Sequence, residues 1–299
     1  MGVTAAGRLI EAQNKRIQAV EIAYLNGDWL APDAAKISIF DRGFMFGDAV
    51  YEVLPVYQGR IFTEVPHLER LARSLAEVRI APPLTMAEWS ALLGEAVDRS
   101  QEADALIYIQ VSRGVSMPRS HVYGDGAPTV LVTVTPFQGP TIETAPQLRV
   151  KTAEDFRWLR ADIKVTSLIA NGMIKNQAIA EGYDDAIMIR DGKVTEGTSS
   201  NVFIVKDEVI KTPPKSERLL HGITRDEMIE TARELGYSVT ESAFGLEEML
   251  AADEVWLSAT GLELAPVVGI NGEPIGRGEQ GPVWREVFEA YQTRKRVIE

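Results

Sequence analysis

Lys164 and Glu196 are the side chains of this sequence best suited to covalent and acid–base chemistry on a small molecule. Lys164 lies in the apolar-flanked triplet Ile163-Lys164-Val165, and Glu196 in the turn-like run TEGTSSN. A lysine amine can bond an aldehyde carbon as a Schiff base. A carboxylate beside a ring nitrogen can keep that nitrogen protonated, which makes the ring an electron sink. Taken singly, each residue is ordinary, since the chain has 31 Lys and Arg and most of these must be solvated surface charge. A second pair, Arg119 and His121, sits in the glycine- and proline-bearing run SRGVSMPRSHVYGDG. Residues two apart do not share a helix face, but in an extended loop both can meet one ligand. Arginine offers a planar fork to a carboxylate, and histidine adds another donor. The alternative for this pair is a basic surface loop.

Two stretches could take a phosphate. In LLHGITRDEMIETAREL, Gly222 permits a tight turn, and Ile223 and Thr224 open a helix whose first amides point outward. Thr224 and Glu227 would equally form a capping box that needs no ligand. Gly276, Gly278 and Gly281 in GRGEQG fit the glycine pattern of dinucleotide-binding loops. That fingerprint needs a second parallel strand and an acidic residue about 20 positions on. Only 18 residues follow Gly281, so this run reads as a turn into a C-terminal helix.

The elements around these residues follow from period and punctuation. EIAYLNGDWL predicts a hairpin turning at Asn26-Gly27. A glycine-rich approach (FDRGFMFGDAV) leads into a strand pair turning at Gln58-Gly59, then a helix burying Leu68, Leu71 and Leu75. A second helix starts at Thr85, with Glu88 as capping-box partner. ALIYIQVSRG and PTVLVTVTPF are strands. PFQGPTIETAPQ, with three prolines and a glycine, reads as a linker over residues 138–146. Beyond it, strands (QLRVKTA, DDAIMIR, SNVFIVK, EVWLSA, PVVGI) alternate with helices near 171–181, 224–235 and 281–295. The expected division is an N-terminal extension (1–20), a small domain (21–137), the linker, and a large domain (147–299). The pattern gives an α/β or α+β chain without giving sheet order.

Composition narrows the class. A chain of 299 residues with 45% hydrophobic and 25% charged content describes an ordinary globular protein. No apolar run approaches the ~18 residues needed to span a bilayer. The first twenty residues have no hydrophobic signal core, and Ala6 stands where a myristoylation signal wants Ser or Thr. Zero cysteines exclude disulfides, thiol catalysis and thiolate metal sites. Three dispersed histidines (His67, His121, His221) argue against a histidine metal centre, and a net charge of −12 argues against nucleic-acid or anionic-membrane partners. Cytoplasm is the expected location.

The run RWLRADIK, an asparagine-glycine helix start, and TEGTSSNVF together resemble the Schiff-base region of fold-type IV pyridoxal-phosphate enzymes, the class IV aminotransferases. Within that family the sequence looks closest to the D-amino acid aminotransferases, from about residue 21 to the C-terminal helix. The resemblance implies a fold of a smaller N-terminal α/β domain and a larger C-terminal, cofactor-binding domain with a barrel-like sheet. It implies pyridoxal 5'-phosphate held by Lys164, with Glu196 on its ring nitrogen. Its phosphate would be bound by Ile223 and Thr224, by Arg70 in PHLERL, and by Thr260 in LSATGLE; the alternative for Arg70 is a solvated helix face.

The same resemblance makes Arg119, His121 and Tyr51 a trap for the substrate carboxylate. Arg119 and His121 would reach into the neighbouring subunit of a homodimer. The expected reaction is a ping-pong transamination between D-amino acids, such as D-alanine or D-glutamate, and 2-oxo acids. Alternatives are an (R)-selective amine or branched-chain L-amino acid transaminase, a lyase of the aminodeoxychorismate type, and a non-catalytic binding protein. Pro55, where a close D-amino acid enzyme would carry lysine, and Gly261-Leu262, in place of a serine/threonine-rich turn, are departures that bear on substrate range.

Overall fold

The computed structural model describes residues 22–296, so the expected extension over residues 1–20 lies outside the described residues. The chain forms two compact units. Of the described residues, one takes in 22–138 together with Ile163–Leu168; the other takes in Gly139–Asp162 and 169–296.

The first unit is a six-stranded antiparallel sheet with helices on one face. Its strands are β1 (Ala23–Leu25), β2 (Asp28–Leu30), β3 (Ala49–Tyr57), β4 (Arg60–Ile61), β5 (Ala105–Ser112) and β6 (Thr129–Pro136), in the order β2-β1-β6-β5-β3-β4. Both predicted hairpin turns form, with positive φ at Asn26 and Gly27 and at Gln58 and Gly59. The glycine-rich approach contains a short helix, α1 (Arg42–Phe46), capped by Asp41 accepting from the Gly43 amide. Helix α2 (Glu64–Glu77) buries Leu68, Leu71 and Leu75, and α3 (Met86–Ser100) opens with the Thr85/Glu88 capping box. These leucines join Trp89 and Leu93 of α3, and Ile107, Ile109 and Val111 of β5, in one core. Strand alternation sends the intervening Tyr108 and Gln110 to the other, half-open face of the sheet.

Residues 163–168 run beside the start of β3. The Tyr51 amide donates to the Lys164 carbonyl (3.0 Å), and the Thr166 amide to the Ala49 carbonyl (3.0 Å). Ile163 and Val165 enter the core, so the period of two turns Lys164 to the opposite side.

The second unit holds β7 (Leu148–Glu154), α4 (Ile169–Ala180), β8 (Asp185–Arg190), β9 (Lys193–Gly197), β10 (Asn201–Lys206), β11 (Val209–Thr212), α5 (Ile223–Glu234), β12 (Ser238–Glu241), α6 (Leu246–Leu250), β13 (Glu254–Ala259), β14 (Glu263–Ile270), β15 (Glu273–Pro274) and α7 (Pro282–Arg294). The sheet runs β12-β11-β10-β13-β14-β7-β8-β9, with β15 beside β14. Its β11–β12, β14–β7 and β7–β8 pairs are parallel. Strands β9 and β10 stand far apart in this order, yet only residues 198–200 separate them in the chain. The sheet must therefore curl into a half-barrel, and Glu196 lies where the curl brings its ends together. At the far end of the unit, α7 begins at the predicted place. Buried Glu254 accepts from the Val283 and Trp284 amides (2.9 and 2.8 Å), and a Cβ on Gly281 would lie 2.0 Å from the Glu254 carboxyl carbon. That close approach accounts for the glycine.

Candidate active site

Tyr51 and Glu52 are neighbours on β3 and so point to opposite faces. On the half-open face, Lys164 Nζ stands 4.1 Å from the Tyr51 ring centroid. Tyr108 lies beside Tyr51, with ring centroids 5.8 Å apart, and donates to Gln110 Oε1 (2.7 Å). Burial and Tyr51 push the Tyr108 hydroxyl up to about 12, so it is a neutral donor. On the core face, Glu52 receives Arg70 Nε and Nη2 (2.7 and 2.8 Å) and His67 Nδ1 (2.8 Å). Burial alone would raise the Glu52 carboxyl, but Arg70 and His67 outweigh it and hold it far below the usual carboxylate range. Arg70 is 7% exposed, which rules out the solvated helix face.

Arg119 and His121 lie in the exposed connection between β5 and β6. The Phe46 ring gathers them: Arg119 Cζ is 4.5 Å from its centroid, and the His121 ring is 5.4 Å away.

In the second unit, Glu196 is buried at the end of β9. One oxygen receives Arg157 Nη1; the other receives the Leu220 amide (3.0 Å) and Asn201 Nδ2 (3.4 Å). Arg157 also donates to both oxygens of Asp155 (2.9 and 2.8 Å), which Arg190 and Thr195 reach too. Burial pushes the Glu196 carboxyl up, opposed by Arg157 and the Leu220 amide, which favour its charged form. Asn201 extends the network to the next element by donating to the Leu220 carbonyl (2.9 Å).

Gly222 caps α5, and the structure corrects two expectations there. Its φ of −68° is open to any residue, so no special turn requires glycine. The requirement is space, because a Cβ would lie 2.0 Å from Asn201 Oδ1. Nor is there a capping box: no side chain caps this helix, and Glu227 instead pairs with Arg294 (2.9 Å). Ile223 and Thr224 occupy its first two positions, and the nearly buried Thr224 hydroxyl has no hydrogen-bond partner among the described residues. Thr260 follows β13 in a turn closed by the Leu262 amide donating to the Ala259 carbonyl (3.0 Å).

An uncapped helix start with an unpartnered hydroxyl fits a phosphate, and a buried, arginine-backed carboxylate fits a protonated ring nitrogen. The family model described as amino-transferase class IV matches residues 49–270. The chain belongs to the class IV aminotransferases. Enzymes of this class use pyridoxal phosphate, and the fold is that of fold-type IV. A D-alanine aminotransferase from Bacillus licheniformis is 42% identical over 268 residues, covering 89% of this chain and 94% of that one. Another, from Staphylococcus aureus (strain MSSA476), is 36% identical over 275 residues, covering 91% and 97%. Among solved structures, the branched-chain aminotransferase of the archaeon Thermoproteus uzoniensis with norvaline aligns at a TM-score of 0.83 and 28% identity, covering 93% and 95%. A further branched-chain amino acid aminotransferase, solved with pyridoxamine 5'-phosphate, aligns at a TM-score of 0.86 and 27% identity, covering 93% and 94%.

The motifs of this aminotransferase left several site residues without a role. Arg157 stands within RWLRADIK, but nothing in the run says that it reaches a glutamate 39 positions on. Glu52 could have been found, since a carboxylate in an apolar strand must have a partner. Arg42, Asp48 and Arg113 had no local signal.

Proposed function

We propose that this aminotransferase moves an amino group between D-amino acids, with D-alanine and D-glutamate as examples, and 2-oxo acids by a ping-pong mechanism. The observation that carries the reading is the pair Arg119 and His121, gathered over Phe46 in an exposed loop. The D-alanine aminotransferases at 36 to 42% identity support it from a separate direction.

Bound pyridoxal phosphate supplies an aldehyde for the amino group and a ring that draws electrons from the substrate α-carbon. Lys164 is the residue whose amine would hold that aldehyde, and its Nζ would carry the α-proton away and return it, acting as base and then acid. Glu196 keeps the ring nitrogen protonated, and Arg157 keeps Glu196 charged against the cost of its burial. The amides of Ile223 and Thr224, the Thr224 and Thr260 hydroxyls, and Arg70, seated by Glu52, hold the phosphate. Arg119 presents its fork to the substrate carboxylate, with His121 and Tyr51 donating alongside. That contact fixes which way round the substrate lies, and hence which hand of amino acid reacts.

The loop works from the neighbouring subunit of a homodimer. Exposed apolar side chains on each unit support this, among them Phe44 (70%) and Val122 (76%) on the first, and Leu159 (74%) and Ile169 (79%) on the second. No helix among the described residues is long and apolar enough to cross a membrane, and the cytoplasm is the proposed location.

The test is a panel of D- and L-amino acids and (R)-amines as donors, with the product oxo acids measured. D-alanine and D-glutamate should be turned over and L-leucine should not. Preference for L-leucine would transfer the reading to the branched-chain enzymes among the structural neighbours.

A further inference from the structure

We propose that Arg42 positions the carboxylate-binding loop through its grip on the loop backbone, without touching substrate; this rests on the reading of Arg119 and His121 given above. Arg42 is 3% exposed, a buried cation on a five-residue helix. Its Nη1 donates to the Ser120 carbonyl (2.5 Å) and the Val122 carbonyl (3.4 Å), and its Nη2 to the His121 carbonyl (3.5 Å). Three consecutive carbonyls thus converge on one guanidinium. A planar fork of fixed N–H directions can serve them together, whereas a compact ammonium cannot.

Asp48 holds this guanidinium in place. It accepts from Arg42 Nε (2.8 Å) and from Arg113 Nε and Nη2 (2.8 and 3.0 Å). Arg113 in turn donates to the Val78 and Arg79 carbonyls (2.6 Å each), which fastens the assembly to the chain just beyond α2. Rings complete the arrangement. Phe46 lies 4.8 Å from Arg42 Cζ, and Tyr123 lies 3.5 Å from Arg113 Cζ and 5.5 Å from Arg42 Cζ. A loop whose Met117 is 67% exposed is therefore fixed at its two functional side chains by one buried cation and one ring. Precision there matters, because a displacement of about 1 Å in a positioning group can cost roughly a hundredfold in rate.

The experiment places Arg42→Lys and Phe46→Leu, each alone and combined with Arg119→Ala, in the pyridoxal-phosphate-loaded enzyme. Arg42→Lys should raise the KM for D-alanine by roughly ten- to a hundredfold, with a smaller change in kcat. It should speed amide hydrogen exchange across residues 116–123 and leave the visible absorbance of the cofactor unchanged. In the Arg119→Ala background its further effect should shrink to less than about threefold, because residues acting through one another are not additive. Full additivity, or unchanged exchange at 116–123, would overturn the proposal. Phe46→Leu leaves every ion pair in place and decides by the same two criteria should Arg42→Lys fail to fold. If Arg119→Ala alone leaves D-alanine turnover intact, the carboxylate reading has failed and this proposal with it.

Discussion

Arg157 donates to one oxygen of Glu196 while the Leu220 amide donates to the other, so a carboxylate that burial would neutralise is held against a permanent cation. Arg157→Met removes the stronger of the two and should raise the Glu196 pKa further, because the cation that favours its charged form is gone. In the proposed mechanism, turnover needs Glu196 charged. The acidic limb of the kcat–pH profile with D-alanine should therefore move to higher pH. A limb that stays where it is in the wild type would mean that Glu196 does not depend on Arg157.

The Glu52 cluster makes a separate prediction about stability. Glu52→Gln leaves Arg70 buried without its anion and should cost about 3–5 kcal/mol in urea unfolding. The sign of the pH dependence follows from both partners. Glu52 is held far below its ordinary value, so its contribution is complete above the unfolded carboxylate value of about 4.3 and is lost as pH falls toward the folded one. Burial lowers His67, so its proton is taken up first by the unfolded chain, and stability also declines as pH falls below about 6.5. Unfolding midpoints should drop on acidification from pH 7, and below about pH 4.3 by less in the Glu52→Gln variant, which has no carboxylate to lose there. Equal slopes would remove the cluster from the account of acid stability.

Local period and turn chemistry were enough to read the hairpins at Asn26-Gly27 and Gln58-Gly59, the leucine face of α2 and the start of α7. Each depends on residues a few positions apart. Sheet order was not legible, because nothing in QLRVKTA or DDAIMIR says that β7 pairs in parallel with both β8 and β14. The helix at Thr224 was predicted, but its cap was misread. The capping-box spacing is present, while the space demanded by Asn201 sets Gly222 as the cap. The proposed site residues Lys164, Glu196 and the Arg119/His121 pair were legible through a family pattern. Their supports, Arg157, Asp48 and Arg42, were not, since each acts on a residue or loop that only folding brings near.

Arg119→Ala tests donor recognition. Truncating one partner of a desolvated charge pair costs about 2–5 kcal/mol, or roughly thirty- to several-thousand-fold in kcat/KM. D-alanine and D-glutamate should lose that much, while a carboxylate-free (R)-amine, which never used the fork, should not. Equal losses for both donors would make Arg119 a residue of the loop's fold or of the dimer.

Subunit exchange tests the origin of the loop. Lys164→Ala and Arg119→Ala enzymes, each inactive or nearly so toward D-alanine, should regain activity when mixed and allowed to reassociate, because one site of a mixed dimer is intact. A monomer with full activity in solution scattering would end that part of the reading.

The covalent residue admits the most direct measurement of all. Two lysines compete: Lys164 beside Tyr51, and Lys175 on α4, which is already paired with Asp185 at 2.9 Å. Borohydride reduction of the loaded enzyme, followed by proteolysis and mass spectrometry, fixes the cofactor to whichever lysine carries it. The pyridoxyl group should be found on the peptide containing Lys164, and Lys164→Ala protein should carry none. Labelling of Lys175, or of the Lys164→Ala protein to the wild-type extent, would contradict the assignment on which the mechanism rests.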